Sequence, residues 1–467
     1  MSDDKLWLES INDLIIDEDK VKNFYYPIIP GETINFRESL AVKLVSLFKE
    51  LKNNHNSYFD ECVASLFGLV TEVVNIYYTL LLKIKLEQKN FEIIPDQNSR
   101  LLKNIIFNKK PDFPKVLKQL IKGREEAKKR YFLFRFLRNL IFQKKIKKTF
   151  FKFPDFNKDI ICIGDNLFLE HHAQFESKRV YYLRLNEWFK KLNRPNGTIK
   201  DLDFVINNIL QIVFDEFKGN KIILSQNLQI YLREFIELLL LKLSIYKKSI
   251  LDSDIGIPKT IWTPSGGGIF ANIFRQVCKS NGSKVVGHAH GSGTGFFTDY
   301  GRTTSILEYQ SCTDFFVYTK KSIEEYKKYS REDLIIDGKL PNIKCIDNHI
   351  KWPNDNLKFF EKIFSIKKNN NILYIPSIFI NDGYFDGKLI DSHNTYNWLI
   401  ILSNFLKKNN FNFKVKLHPS NKPPDQYVKY YKKNISYDSL AKSINNCSLI
   451  VTDQPSSSSF AASIVSN

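Results

Sequence analysis

The sequence predicts an α/β protein of two doubly wound, Rossmann-like halves, on three observations. From about residue 155 onward, short and continuously apolar runs alternate with helix-patterned stretches. A parallel sheet covered on both faces needs strands of that kind. The stretch Asp347–Asn371, with Pro353 and a polar Lys-Lys-Asn-Asn-Asn run, divides the alternation in two. Hydrophobic residues make up 43% of the 467, enough for a sizeable core, while Gly and Pro together number only 35, which excludes a collagenous or low-complexity chain.

The elements follow in order. Residues 1–60 are mixed in pattern, and 61–90 and 100–152 read as helical, with long apolar and basic stretches and few turn residues. Candidate strands are Asp159–Ile163, Lys221–Leu224, Thr260–Thr263, Lys284–Gly287, Phe315–Tyr318, Asn371–Ile375, Phe413–Leu417 and Ser448–Val451. Helices are predicted at 268–280, 320–329, 391–409 and 438–446. Three regions result: a helical, basic region 1–154 belonging to or inserted into the first half, a Rossmann-like domain 155–346, and a second Rossmann-like domain 347–467.

Composition removes several classes of function. The six cysteines stand far apart and no CxxC occurs, so neither a zinc ribbon nor a dithiol redox motif is written here. They read as buried free thiols of a reducing compartment. The acidic start Met-Ser-Asp-Asp-Lys leads into no apolar core, so no signal peptide is expected. Phe67–Leu86 is interrupted by Glu72, Asn75 and Lys83, and Phe235–Tyr246 is too short, so no transmembrane helix is expected.

The net charge is +19, and the segment Lys115–Lys152, with 14 Lys or Arg against two acids, carries +12 of it. Aromatic residues interleave with these charges. A basic, aromatic, amphipathic helix suits an anionic membrane surface. A helix with rings toward a core and lysines toward water has the same composition, and both readings stay open. Abundant Lys, Asn, Ile and Phe also reflect an AT-rich coding bias. No helix-turn-helix, RNA-binding or zinc-finger pattern is present, so nucleic acid is not an expected partner.

In doubly wound sheets ligands bind beyond the carboxyl ends of the strands. Four loops there draw attention. Thr263-Pro264-Ser265-Gly266-Gly267-Gly268 precedes a helix and frees backbone amides, making Ser265, Gly266 and Gly267 candidate cleft residues. It is neither a Walker A nor a GxGxxG motif. Gly287-His288-Ala289-His290-Gly291 places two histidines at i, i+2, without a third ligand for a metal. His290, directly before Gly291 and the glycine-rich turn, is preferred over His288 as an acid, base or donor to substrate. In Lys416-Leu417-His418-Pro419, the proline ends the ladder and holds His418 at the strand exit, with Lys416 adding charge. In Asp453-Gln454-Pro455-Ser456-Ser457-Ser458-Ser459, hydroxyls meet the start of a small-residue helix, a natural anion pocket.

Lys416-Leu417-His418-Pro419, followed about 35 residues on by Asp453 and Ser456–Ser459, resembles the HP and serine motifs of bacterial surface-polysaccharide transferases of the GT-B fold. That group includes capsular Kdo transferases, polysialyltransferases and CDP-alditol phosphotransferases. Thr263–Gly268, a helix and His290-Gly291 are similar to the end of the group's N-terminal half, so the resemblance spans roughly 260–467. It implies two halves facing a cleft, with the nucleotide-activated donor, of CMP or CDP type, on the second. Lys416, His418, Ser456, Ser457, Ser458 and Ser459 would then hold the donor phosphate. The general base would belong to the first half, with Asp165, Glu170 and His290 as candidates. The resembling proteins continue past the serine-led helix with another strand and a closing helix. This chain stops at Asn467, so its second half is expected to be truncated.

The expected activity is therefore transfer of a sugar to a surface-polysaccharide or lipid-linked oligosaccharide acceptor. With no Asp-x-Asp after an apolar strand, no metal or other cofactor is expected. The expected location is the cytoplasm, peripherally at the inner face of the plasma membrane through residues 115–152. A non-catalytic or degenerate nucleotide-sugar-binding protein, or a GT-B-type sugar-nucleotide epimerase, are the competing readings.

Overall fold

The computed structural model describes residues 6–8, 30–95, 99–114, 117, 155–164, 168–169, 172–173, 176–182, 202–252, 256–264, 269–289, 305–318, 320–345, 371–376, 392–417, 425–438 and 440–452. The basic segment 115–152 lies outside them except for Leu117, which is buried.

The N-terminal elements are β1 (Leu6–Leu8), α1 (Pro30–Asn53), α2 (Phe59–Gln88), β2 (Glu92–Ile94) and α3 (Leu102–Ile106). β1 and β2 pair in parallel. On α1, Phe36, Leu40, Leu44, Phe48 and Leu51 recur at helical spacing and are all buried. By length and composition α2 is apolar enough to cross a membrane, but 78% of its most apolar window is buried inside the protein. It packs against α1 and against two helices that come much later in the chain.

Next come β3 (Ile160–Cys162), β4 (Val180–Tyr182), α4 (Leu202–Gly219), α5 (Gln226–Leu251), β5 (Thr260–Thr263), α6 (Ile269–Ser280), β6 (Lys284–His288), β7 (Asp314–Val317), α7 (Lys320–Tyr329) and β8 (Asn342–Cys345). All six strands are parallel, in the spatial order β4-β3-β5-β6-β7-β8. The chain moves outward one way from β3 to β4, then returns to add β5 on the other side. That reversal makes the β3/β5 boundary a topological switch point.

One sheet face, carrying Ile261, Val285, Phe315 and Ile343, shares a single apolar core with α1, α2, α4, α5 and α6. The other face, carrying Ile160, Cys162, Trp262, Val286 and Phe316, packs against Leu169 and Ala173 of a helical stretch. Gly287 is required by the first arrangement. A Cβ there would lie 2.6 Å from the Phe315 ring and 2.9 Å from Cys312 Sγ.

Lys221–Leu224, expected as a strand, instead links α4 to α5. The backbone N–H of Lys221 donates to Lys218 and that of Ile222 to Phe217, closing α4, with Lys221 at φ +58°. Ser225 then caps α5. Helix capping uses the whole link, and Ile223 is left 92% exposed.

The C-terminal elements are β9 (Asn371–Ile375), α8 (Ser392–Lys408), β10 (Asn412–Val415), α9 (Asp425–Tyr431), α10 (Leu440–Asn445) and β11 (Leu449–Thr452). They form a second parallel sheet, in the order β10-β9-β11. It has its own core. Ile372, Tyr374, Phe413 and Val415 pack with Leu399, Leu406, Tyr427 and Tyr431 on one face. Leu373 and Ile375 pack with Ile444 on the other. The protein is thus a mixed α/β chain with two all-parallel major sheets.

Candidate functional site

The carboxyl ends of β3, β5 and β6 converge at the switch point of the first sheet. Gly164, just past β3, lies against Pro264, just past β5. A Cβ on Gly164 would come within 2.8 Å of the Pro264 ring. The Cys162 thiol donates to the Gly164 carbonyl at 2.8 Å.

His288 ends β6 and shares sheet parity with Val286, so it faces the helical stretch of Leu169 and Ala173. Its ring is fully buried. Its Nδ1 is 3.1 Å from the Thr263 carbonyl and its Nε2 is 2.9 Å from Nδ1 of His172. A carbonyl only accepts, so Nδ1 of His288 carries the hydrogen. Burial pushes this imidazole down to about 3, helped by neighbouring His172 and opposed by the bond to Thr263. His288 is therefore neutral, and its Nε2 accepts. The hydrogen in the 2.9 Å contact must then belong to Nδ1 of His172.

Aromatic rings box in this pair. Trp262 stacks on His172 with ring centroids 4.2 Å apart and planes at 18°. Phe316 lies 4.4 Å from His172 and is stacked with His288 at 5.7 Å. Phe168 meets His288 edge-on and packs against Tyr318. His288 is held in place on both nitrogens, while His172 is half-buried.

In the second sheet, β10 and β11 flank β9, and all three end at one edge. Val415 registers with Tyr374, and Thr452 with Ile375. Lys416, just past β10, donates its backbone N–H to the Tyr374 carbonyl at 2.8 Å, and its side chain is partly exposed.

Lys416 is the one predicted site residue among the described residues. Asp165, Glu170, Ser265, Gly266, Gly267, His290, Gly291, His418 and Ser456–Ser459 lie outside them. Except for Glu170, which follows the helical Leu169, the chain enters each of their segments from a described strand end: Gly164 after β3, Pro264 after β5, Ala289 after β6, Leu417 after β10 and Thr452 as the last residue of β11. His172 did not stand out in the sequence. Its signal is the pair His171-His172, ten residues after the end of β3. Among the described residues no group of three or more His, Cys, Asp or Glu gathers as a metal would need. Comparison with protein-family models, curated proteins and solved structures gave no match.

Proposed function

We propose that the protein is a glycosyltransferase of GT-B type, moving a sugar from a nucleotide-activated donor to a surface-polysaccharide or lipid-linked acceptor. The observation that carries this reading is the strand order β10-β9-β11. It brings the exits leading to His418-Pro419 and to Asp453 and Ser456–Ser459 onto either side of β9, at one sheet edge. In this reading Lys416, His418 and Ser456–Ser459 supply the donors to negative charge on a departing nucleotide. The donor is of CMP or CDP type. The first sheet supplies the acceptor side, with its crevice at the β3/β5 reversal.

The chemistry needs charge stabilised on the leaving phosphate and a proton taken from the acceptor hydroxyl, both served by residues of this chain without a metal. Residues 115–152 would hold the enzyme on the anionic cytoplasmic leaflet, near a lipid-linked acceptor.

Melting temperatures measured with CMP, CDP, UDP and GDP test the donor site. One cytidine nucleotide is expected to raise the melting temperature selectively, and His418→Ala to abolish the shift. The reading fails if no nucleotide shifts melting or if His418→Ala binds like wild type. Incubation with the matching nucleotide sugar separates transfer to an acceptor from isomerisation of the donor or binding without turnover. Charge reversal at Lys144, Lys145, Lys147 and Lys148 is expected to weaken binding to phosphatidylserine vesicles.

A further inference from the structure

We infer that His172 is the proton acceptor for the incoming hydroxyl, and that His288 is a positioning residue that fixes its tautomer through a carbonyl–imidazole–imidazole chain. The inference rests on the transferase reading and gives its acceptor side a named residue.

The chain of contacts has one consistent direction. Thr263 O accepts from Nδ1 of His288, and Nε2 of His288 accepts from Nδ1 of His172. With its hydrogen committed to Nδ1, a neutral His172 has Nε2 as its proton-accepting nitrogen. Taking a proton there leaves the chain unbroken, because the imidazolium still donates from Nδ1 to the neutral His288. The face of Trp262, stacked on the His172 ring, favours the cation that forms. His288 thus does for His172 what a carbonyl or carboxylate behind a catalytic imidazole does elsewhere: it sets which nitrogen reacts and where it points.

The placement suits the role. His172 lies over the carboxyl ends of β5 and β6, beside the switch point where a doubly wound sheet opens its crevice. His288, buried and engaged on both nitrogens, does not reach a substrate itself.

The step balances. The acceptor oxygen forms a bond to the anomeric carbon and gives its proton to Nε2 of His172. The bond from that carbon to the donor phosphate oxygen breaks, and its electron pair leaves with the nucleotide. The proton then passes from His172 to solvent.

Two measurements test this. The first needs no substrate. In the full chain with 15N-labelled histidine, assigned through the single variants, both His172 and His288 are expected as Nδ1–H tautomers. An Nε2–H tautomer at either position overturns the relay. The second uses the nucleotide sugar found by the melting screen. His172→Ala is expected to lower kcat by roughly 10²–10⁴-fold while keeping the nucleotide-induced melting shift. His288→Phe is expected to lower kcat with little change in donor KM. His288→Gln, whose amide can donate to Thr263 and accept from His172, is expected to recover most of that loss. A kcat for His172→Ala within threefold of wild type overturns the role. So does a His288→Gln variant no better than His288→Phe when both fold by circular dichroism. Absence of any nucleotide-induced shift in wild type is a separate result: it removes the transferase reading and with it the role of His172, whatever the tautomers.

Discussion

Acid should weaken the first sheet through His288, and the size of the effect follows from its burial. In the unfolded chain this ring titrates near the ordinary 6.5, whereas in the fold it is pushed down to about 3. Between those values the unfolded state binds a proton that the folded state refuses, so stability falls as pH falls. The stability held by the neutral ring is complete above about pH 6.5 and is lost progressively toward pH 3. At about 1.4 kcal/mol per pH unit, lowering the pH from 7.5 to 5 costs about 2 kcal/mol through this one residue. Replacing His288 with Gln removes the titrating group. Its change in packing is the same at both pH values and cancels in the comparison. The assay is urea unfolding of wild type and His288→Gln at pH 7.5 and pH 5, with free energies from linear extrapolation. Wild type should lose about 2 kcal/mol more than the variant. Equal losses in the two proteins would refute the buried, neutral state of His288 and the tautomer argument built on it.

Three further outcomes follow from other parts of the structure. Gly287→Ala forces a methyl into the Phe315 ring and Cys312 Sγ, and should cost about 1–3 kcal/mol, read as a lowered melting temperature with unchanged secondary structure. Glu72 accepts both guanidinium nitrogens of Arg100, at 2.6 and 2.8 Å, and the Tyr231 hydroxyl at 2.6 Å. Arg100 is half-buried and also donates to the Tyr231 hydroxyl and the Asp112 carbonyl. Glu72→Leu therefore removes its charged partner without stranding it and should cost about 1.5–3 kcal/mol in urea unfolding, more than a surface ion pair would. Cys62, Cys162, Cys278 and Cys312 are buried, and burial pushes the thiols of Cys62, Cys278 and Cys312 up, the last to about 11. A disulfide-exchange reagent at pH 8 should therefore modify at most Cys345 and Cys447 in the native protein, and all six in urea. Fast reaction of more than two native thiols would contradict this placement.

In the first sheet the interior strands were legible in the sequence and the edge strands were not, whereas in the second sheet both edges, β10 and β11, were legible as well. β5, β6, β7 and β9 have neighbours on both sides and helices over both faces, so they are written as unbroken apolar runs such as Val285-Val286 and Ile372-Leu373-Tyr374-Ile375. β8 lies at the sheet edge and alternates exposed Asn342 and Lys344 with buried Ile343, a pattern that reads as ordinary loop. β4, at the opposite edge, is three residues long and sits between basic residues. Lys221–Leu224 misled in the other direction: its apolar residues serve a link between helices, where capping rather than strand pairing uses the backbone.

Of the candidate site, the sequence marked the strand exits but not the residues that meet beyond them. His288 was visible as half of a His-Ala-His pair, yet its partner His172 lies 116 positions earlier. Only the order β4-β3-β5-β6 brings the two together. No local spacing encodes that order.

The shared core of the N-terminal helices and the first sheet bears on how the chain is made. Asp60 on α2 accepts from Gln276 on α6, 216 positions later, and Lys52 on α1 pairs with Asp337, 285 positions later. At roughly 5–20 residues per second, a ribosome would expose the α1–α2 hairpin for tens of seconds before these partners emerge. During that interval its apolar faces are bare and prone to self-association, so a holdase at the tunnel exit has a natural client in the nascent segment 30–88.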